Sequence, residues 1–178
     1  MVMLAERALP GSFIVDQTGR RFVNEATDYM SFGQRVLERE KAGDPAESMW
    51  FVFDQEYRNS YVFAGGIFPR QPLPQAFFDS GIAHKASSPV ELARKVGLPE
   101  EAFAESFEKF NEAAAAGSDA EFGRGGSAYD RYYGDPTVSP EPEPEEARHE
   151  CPLRGEDDAQ RPRHLRRCAG RRACTRAS

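Results

Sequence analysis

Cysteine is missing from the first 150 residues of the chain, and the three cysteines that it has are Cys151, Cys168 and Cys174. An odd number of cysteines confined to one end does not form the disulfide framework of a small secreted domain. Long apolar runs are also missing, and the N-terminus lacks the basic and apolar regions of a signal peptide. We therefore expect a cytoplasmic protein without a membrane span.

Aromatic residues, isoleucine and lysine are missing after Tyr133. From position 139 the sequence is a proline and glutamate run followed by arginine, alanine, glycine and aspartate. Such a segment cannot bury enough apolar area to offset its ordering entropy. We expect a folded domain at 1–140 and a disordered tail at 141–178. A reading-frame slip in a GC-rich gene and a native disordered tail both explain this composition.

The charge of the chain is concentrated in its first part. Residues 1–138 carry 14 Lys and Arg against 21 Asp and Glu, a net charge of −7. An acidic domain repels phosphate backbones, so nucleic acid is not an expected partner and a small-molecule enzyme fits better.

Histidine and cysteine in the tail do not have the spacing of a zinc module. No Cys-x2-Cys pair is present, and we predict no metal site from the five candidates, which are His149, Cys151, His164, Cys168 and Cys174.

The first structural elements follow from local patterns. Residues 12–16 and 20–24 are strand-like and flank Gly19, which suits a tight reversal, so they predict a β-hairpin. Apolar residues at helical spacing then predict a helix at 28–41, ended by an Ala-Gly-Asp-Pro sequence.

A continuous apolar run at 49–53 predicts a strand buried on both faces. Residues 61–74 combine glycines, prolines and aromatics without a period, which predicts a loop. Ser88 as N-cap, proline after it and Gly97 as C-cap predict a helix at 89–96.

A second helix is predicted between Pro99 and Gly117. Its apolar residues recur at i, i+4, i+7 and i+11, which places one face against a core, and they are Phe103, Phe107, Phe110 and Ala114.

Several stretches together resemble the substrate domain of the fumarate reductase and 3-ketosteroid dehydrogenase flavoprotein superfamily. These are LPGSFIVD at 9–16, GRRFVNE at 19–25, FD at 53–54 with Arg58, ELA to GLP at 91–99, FN at 110–111, and FGRG to YDRYYGDP at 122–136. The last stretch is similar to the 3-ketosteroid Δ1-dehydrogenase branch in particular. The resemblance covers residues 3–140.

The resemblance implies an α+β fold with a small mixed sheet and helices, the cap domain of a two-domain FAD-dependent oxidoreductase. It implies 1,2-desaturation of 3-ketosteroids with hydride transfer to FAD, and a steroid or other small apolar enone-type substrate. The Gly-x-Gly-x-x-Gly fingerprint of the FAD domain is missing, and the nearest cluster, at 123–126, does not have the required spacing. The isolated chain is therefore expected to be inactive unless a flavin-binding half is its partner.

The resemblance also implies site residues. Tyr29 is the candidate catalytic base that removes the C2 proton, and Asn24 and Glu25 are candidate substrate-binding residues, expected where the hairpin meets the FAD domain. Arg124 and the tyrosines Tyr129, Tyr132 and Tyr133 are candidate walls of the substrate site. Packing for the tyrosines and helix capping for the Asn-Glu pair are the structural alternatives. A surface ion pair is expected for Arg58.

Two other functions stay open at this point. A fumarate or enoate reductase would use a side-chain acid to protonate carbon, but the sequence has no dense set of arginine and histidine for a dicarboxylate. A non-catalytic orphan domain is the second alternative.

Overall fold

Two antiparallel strands form the sheet, β1 (Ser12–Asp16) and β2 (Met49–Phe53). The computed structural model describes residues 5–138, all of which belong to one compact unit. Six α-helices follow in chain order: α1 (Tyr29–Lys41), α2 (Gln55–Ser60), α3 (Gln75–Asp79), α4 (Pro89–Val96), α5 (Glu100–Ala116) and α6 (Ala128–Tyr133). A 3-10 turn at Glu6–Ala8 precedes β1. The α+β class is confirmed for the described residues.

The predicted hairpin at 12–16 and 20–24 is wrong in its second strand. The reversal is present, because Gly19 N donates to the Asp16 carbonyl and Asp16 N donates to the Arg20 carbonyl, both at 3.0 Å. After one such bond the chain leaves the strand, and β1 pairs instead with β2, with Ile14 opposite Phe51. All five β1 residues are buried, so β1 needs an apolar neighbour, which the run in β2 supplies.

The prediction that the run at 49–53 is buried on both faces is also wrong. Only Val52 is buried, and Met49 is 47% exposed. The predicted mixed sheet is a two-stranded, purely antiparallel sheet in the part of the chain that the structure describes.

Three helices predicted from local signals are confirmed. Asp28 accepts a hydrogen bond from Ser31 N at the start of α1, and Ser88 does the same for Glu91 N in α4. Gly97 and Gly117 end α4 and α5 in the left-handed conformation. The loop at 61–74 is confirmed, with one bridge between Phe63 and Ile67. The short helices α2, α3 and α6 were not predicted, because five or six residues do not show a period.

The main core lies between the sheet and helices α4 and α5. The Phe13 ring contacts the rings of Phe110, Phe107 and Phe103, with centroid distances of 4.7, 6.1 and 6.3 Å. A second cluster on the other side of the sheet joins Ile14, Phe22 and Val23 to α1. The predicted tail at 141–178 lies outside the described residues. Within residues 5–138 no helix is long and apolar enough to cross a bilayer.

Phe103 supplies a direct test of this core. Its side chain is fully buried, so Phe103→Ala should lower the free energy of unfolding by about 3–5 kcal/mol in urea denaturation. Phe68→Ala is the matched control, because Phe68 is 65% exposed and its loss should cost less than about 0.5 kcal/mol. Equal effects of the two substitutions would contradict the assigned core.

Candidate functional site

The Glu25 carboxylate lies at the centre of a buried polar cluster and is fully buried. Its Oε1 accepts hydrogen bonds from Ile14 N at 3.1 Å and Arg21 Nε at 2.9 Å. Its Oε2 accepts from Arg21 Nη2 at 2.8 Å and from Arg124 Nη1 at 3.4 Å. The carboxylate is therefore paired with two cations and one backbone amide, as a buried charge requires.

Arg124 is held at this cluster by the glycines on either side of it. Gly123 and Gly125 have positive φ angles of 69° and 83°, which turn the chain so that the guanidinium reaches back to the start of β1. There it donates to the carbonyls of Ser12 at 2.6 Å, Leu9 at 2.9 Å and Ala8 at 3.1 Å. Burial lowers the pKa of Arg124.

Arg21 links Glu25 to the segment after α5. Its Nη2 donates to Asp119 Oδ2 at 2.8 Å, and the side chains of both residues are less than 10% exposed. Burial alone would lower the pKa of Arg21, but the hydrogen bonds and charges of Glu25 and Asp119 outweigh it and raise this pKa. Burial alone would raise the pKa of Asp119, but the hydrogen bond and charge of Arg21 hold it below the ordinary 3.8.

Asn24 connects the start of α1 with α6. Its side-chain amide donates to Asp130 Oδ2 at 2.9 Å, and its own Oδ1 accepts from Ala26 N at 2.9 Å. Asp130 is buried and also accepts from Gly125 N at 3.1 Å. Asn24 thus places α6 beside the segment that leads into α1.

Arg7, in the turn before β1, also holds the segment that leads into α1. It donates to the carbonyls of Glu25 and of Thr27, the latter at 2.7 Å. Its guanidinium carbon lies 4.8 Å from the centroid of the Phe32 ring in α1. Sequence patterns did not identify Arg7, because its partners are backbone carbonyls 18 and 20 residues away.

Three of the four candidate tyrosines are exposed, and the fourth, Tyr133, is half-buried. Tyr29, the first residue of α1, is 58% exposed, Tyr129 is 41% exposed and Tyr132 is 79% exposed. Tyr129 lies in α6, which the hydrogen bond from Asn24 to Asp130 joins to the segment before α1. Partial desolvation and the neighbouring hydroxyl of Tyr133 raise the pKa of Tyr129.

The structure brings the predicted site residues together in part. Four of them lie around the segment that carries Tyr29, namely Asn24, Glu25, Arg124 and Tyr129. Tyr132 is not part of this group, since its only ring contact within residues 5–138 is with Tyr133, at 5.1 Å between centroids. The contacts of Asn24, Glu25 and Arg124 are those of residues that hold the fold. Their predicted contact with substrate, like the catalytic role of Tyr29, stays a prediction.

Arg58 does not form the surface ion pair that was expected. It is buried, and its guanidinium donates to three loop carbonyls, those of Tyr61 at 3.0 Å, Phe68 at 2.8 Å and Gln71 at 2.5 Å. These hydrogen bonds hold the loop at 61–74 around the guanidinium and give its carbonyls a donor.

The glycine loop at 123–126 uses three of its four backbone amides within the domain. Gly123 N donates to the Asp119 carbonyl at 2.8 Å, Gly125 N to Asp130 Oδ2 at 3.1 Å and Gly126 N to the Gly123 carbonyl at 3.0 Å. The loop therefore lacks the row of free amides with which a dinucleotide turn binds a phosphate. Within residues 5–138 no group of three His, Cys, Asp or Glu side chains could hold a metal ion. The five His and Cys residues considered in the tail lie outside the described residues.

Comparisons with known proteins identify the family. The family model described as FAD binding domain matches residues 1–154. The 3-oxosteroid 1-dehydrogenase of Mycolicibacterium smegmatis is 44% identical over 150 residues, which are 82% of this chain and 26% of that protein. The chain therefore belongs to the flavoprotein family that this FAD binding domain model describes. It spans about a quarter of the length of that relative.

Solved structures of family members agree with the fold. The 3-ketosteroid Δ1-dehydrogenase of Sterolibacterium denitrificans, in complex with 1,4-androstadiene-3,17-dione, matches with a TM-score of 0.68 and 34% identity, over 78% of this chain and 25% of that one. A flavocytochrome c3 fumarate reductase in an open conformation matches with a TM-score of 0.52 and 21% identity, over 70% of this chain and 19% of that one. The second likeness concerns the fold alone.

Arg124 provides a test of the buried cluster. Arg124→Met leaves Glu25 short of one cation and removes a donor from the carbonyls of Ala8, Leu9 and Ser12, so it should cost about 3–5 kcal/mol of unfolding free energy. Arg124→Lys should not restore stability, because an ammonium lacks the planar fork. Arg94→Met removes an exposed ion pair and should cost less than about 1 kcal/mol. A stable Arg124→Met variant would refute the assigned role.

Asp119 gives the cluster a predictable dependence on pH. Because its pKa is lowered in the folded protein, Asp119 contributes stability that is present above pH 3.8, its ordinary pKa, and is lost as pH falls through the lower folded pKa. Asp119→Asn should therefore flatten the acid side of the stability curve in urea titrations at several pH values. Glu121→Gln, which changes an exposed neighbour, should keep the wild-type slope. An unchanged slope in Asp119→Asn would contradict the ion pair.

Proposed function

We propose that this chain is the substrate-side portion of an FAD-dependent 3-ketosteroid Δ1-dehydrogenase. The observation that carries the proposal is the 44% identity with the Mycolicibacterium smegmatis 3-oxosteroid 1-dehydrogenase over 82% of this chain. The proposed reaction is the 1,2-desaturation of a 3-ketosteroid, an oxidation of a CH–CH bond. The steroid bound in the Sterolibacterium denitrificans structure supports the proposed substrate class.

Tyr29 is the proposed catalytic residue of this portion. A ketone at C3 makes the C2 proton acidic, and a base must remove it. Tyr29 is exposed at the first turn of α1, and the peptide preceding that turn is held by Arg7 and by the Asp28 cap. A base on a rigid element keeps its position relative to the substrate, which favours proton transfer.

The remaining site residues divide into two proposed roles. Asn24, Glu25 and Arg124 act through the segment that carries Tyr29, since their polar atoms are engaged within the domain. Tyr129 and Tyr132, which present exposed rings, are proposed to contact the flat apolar face of the steroid.

The flavin is proposed to be held by polypeptide that the relatives have and this portion does not include. The described residues offer no phosphate-binding turn, and the chain covers 26% of the Mycolicibacterium smegmatis protein. We therefore expect no turnover from this chain alone, and the flavin-binding half is its proposed partner. The cytoplasm is the proposed location, on the cysteine distribution described above.

A fumarate reductase activity is less well supported. The likeness to the flavocytochrome fumarate reductase is at 21% identity and concerns the fold alone. Such a reductase needs a side-chain acid, and Arg58 does not fit this role because it is buried and its terminal nitrogens donate to loop carbonyls.

A chimera tests the proposal. Residues 1–140 replace the matching quarter of the Mycolicibacterium smegmatis enzyme, and 1-dehydrogenation of a 3-ketosteroid is followed with an artificial electron acceptor. Tyr29→Phe should lower kcat by about 10² or more with little change in KM, because a positioned base contributes about 10²–10⁴-fold.

Tyr61→Phe is the control, because it also removes one phenol oxygen, here one that donates to Asp135 Oδ2 at 2.7 Å, from a residue outside the proposed site. It should leave kcat within a few-fold of the unsubstituted chimera. A near-normal kcat in Tyr29→Phe would remove Tyr29 from catalysis, and a stable, flavin-loaded chimera that turns over no steroid would contradict the proposed reaction.

A further inference from the structure

Helix α6 carries three tyrosines on one face. Successive residues of an α-helix are about 100° apart around its axis, so Tyr129, Tyr132 and Tyr133 fall within an arc of about 100°. The Tyr133 ring contacts both others, with centroid distances of 5.0 Å to Tyr129 and 5.1 Å to Tyr132. The three rings, which we call the α6 tyrosine face, therefore form one continuous aromatic surface.

The one buried residue of α6 is polar. Asp130 is buried, and the other five residues of the helix are half-buried or exposed within the part of the chain that the structure describes. A helix of six residues is too short to be stable alone, so its direction is set by its contacts with the rest of the domain. The buried contacts are those of the Asp130 carboxylate.

Both oxygens of this carboxylate accept hydrogen bonds. Oδ2 accepts from Asn24 Nδ2 at 2.9 Å and from Gly125 N at 3.1 Å. Oδ1 accepts from the hydroxyl of Ser127, the N-cap of α6, at 2.5 Å. The donors come from the segment before α1, from the glycine loop and from the helix itself. Asp130 therefore ties α6 to two separate parts of the domain.

The bond from Asn24 spans the two parts of the proposed site. Asn24 begins the segment at 24–28 that leads into Tyr29, and its own Oδ1 is fixed by Ala26 N. Asn24 and Asp130 are 106 residues apart in the chain. Among the hydrogen bonds of residues 5–138, this one joins α6 directly to that segment. It therefore sets the direction of the α6 tyrosine face relative to the proposed base.

We propose that Asp130 is a positioning residue for steroid binding, whose carboxylate orients the α6 tyrosine face relative to Tyr29. The inference rests on the proposed function, because it takes the steroid as the ligand of that face. Rings that contact the substrate equally in the ground state and the transition state contribute to KM and not to kcat. Loss of the Asp130 bonds should therefore raise the steroid KM, whereas loss of the base lowers kcat.

The first experiment uses the full chain and amide hydrogen exchange followed by NMR. Two amides report on α6, because Gly134 N donates to the Asp130 carbonyl at 2.9 Å and Arg131 N donates to the Ser127 carbonyl at 3.2 Å. Asp130→Asn should speed the exchange of both about tenfold or more, since asparagine keeps one acceptor oxygen and points an NH₂ group at a donor.

Ser88→Ala is the matched control for stability. It removes the N-cap hydrogen bond of α4, which has no bond to α6 within residues 5–138, and should cost about 1 kcal/mol of unfolding free energy. A short helix opens locally, so the two α6 amides should exchange at the wild-type rate in this variant.

The second experiment uses the chimera with the Mycolicibacterium smegmatis enzyme. Asp130→Asn should raise the steroid KM about tenfold and leave kcat within a few-fold. The Kd of 1,4-androstadiene-3,17-dione, measured without turnover, should rise by the same factor. Ser88→Ala should change neither constant, because a loss of folded protein lowers the apparent kcat and leaves KM unaltered.

Exchange of the amide and the carboxylate between the two positions supplies a rescue. In Asn24→Asp/Asp130→Asn the new amide donates to the new carboxylate, which still accepts from Ala26 N. This double variant should recover most of the lost affinity, whereas Asn24→Asp alone, which places two carboxylates together, should not. If Asp130→Asn does not fold, Asn24→Ala removes the same hydrogen bond from the other side and takes its place in every comparison.

Three results would overturn the inference and leave the proposed function intact. They are an unchanged KM and Kd in Asp130→Asn, an equal rise of KM in Ser88→Ala, and a double variant that binds no better than the single ones. A folded, flavin-loaded chimera that neither binds nor turns over steroid would instead contradict the proposed function, and the inference with it.

Discussion

The buried carboxylate of Glu25 is the group on which the rest of the structure depends. A carboxylate without solvent costs several kcal/mol unless it is paired and fully hydrogen-bonded. Here two guanidinium groups and one strand amide supply those partners, from positions 14, 21 and 124. Because these partners are far apart in the chain, satisfying one charge brings the strand, the segment before α1 and the glycine loop together.

This arrangement has two consequences. The first is the orientation of the segment at 24–28. The hydrogen bond from Asn24 to Asp130 of α6 and the bonds from Arg7 hold this segment, so that α1 starts with Tyr29 at the surface. The second is the asymmetry of the sheet. Glu25 and Arg124, which pair with each other in the cluster, also form hydrogen bonds with the outer backbone groups of β1. They form none with the outer edge of β2.

Local features could be predicted from the sequence because their causes are local. The helix at 89–96 follows from Ser88 and Pro89 at its start and Gly97 at its end. Helix α5 follows from the helical spacing of its phenylalanines, Phe103, Phe107 and Phe110. The family could be predicted because its motifs are contiguous, as in the stretch at 19–25.

Long-range features could not be predicted, for an equally physical reason. The residues at 20–24 have the composition of a strand, yet Arg21 pairs with Glu25 at 2.8 Å in the buried cluster instead of extending a hairpin. The pairing of β1 with β2 spans more than 30 residues and has no local signal. Glu25 and Arg124 were expected near the substrate, and composition alone cannot distinguish a charge that contacts a ligand from one that holds the fold.

The exchange rate of the Ile14 amide tests the central role of Glu25 most directly. This amide lies on the outer edge of β1, where only the Glu25 carboxylate accepts its hydrogen. If the buried cluster holds the fold together, the Ile14 amide should exchange only through global unfolding, with the free energy measured by urea denaturation. Exchange of Ile14 as fast as that of an unprotected edge amide, in a chain that is otherwise folded, would contradict the account.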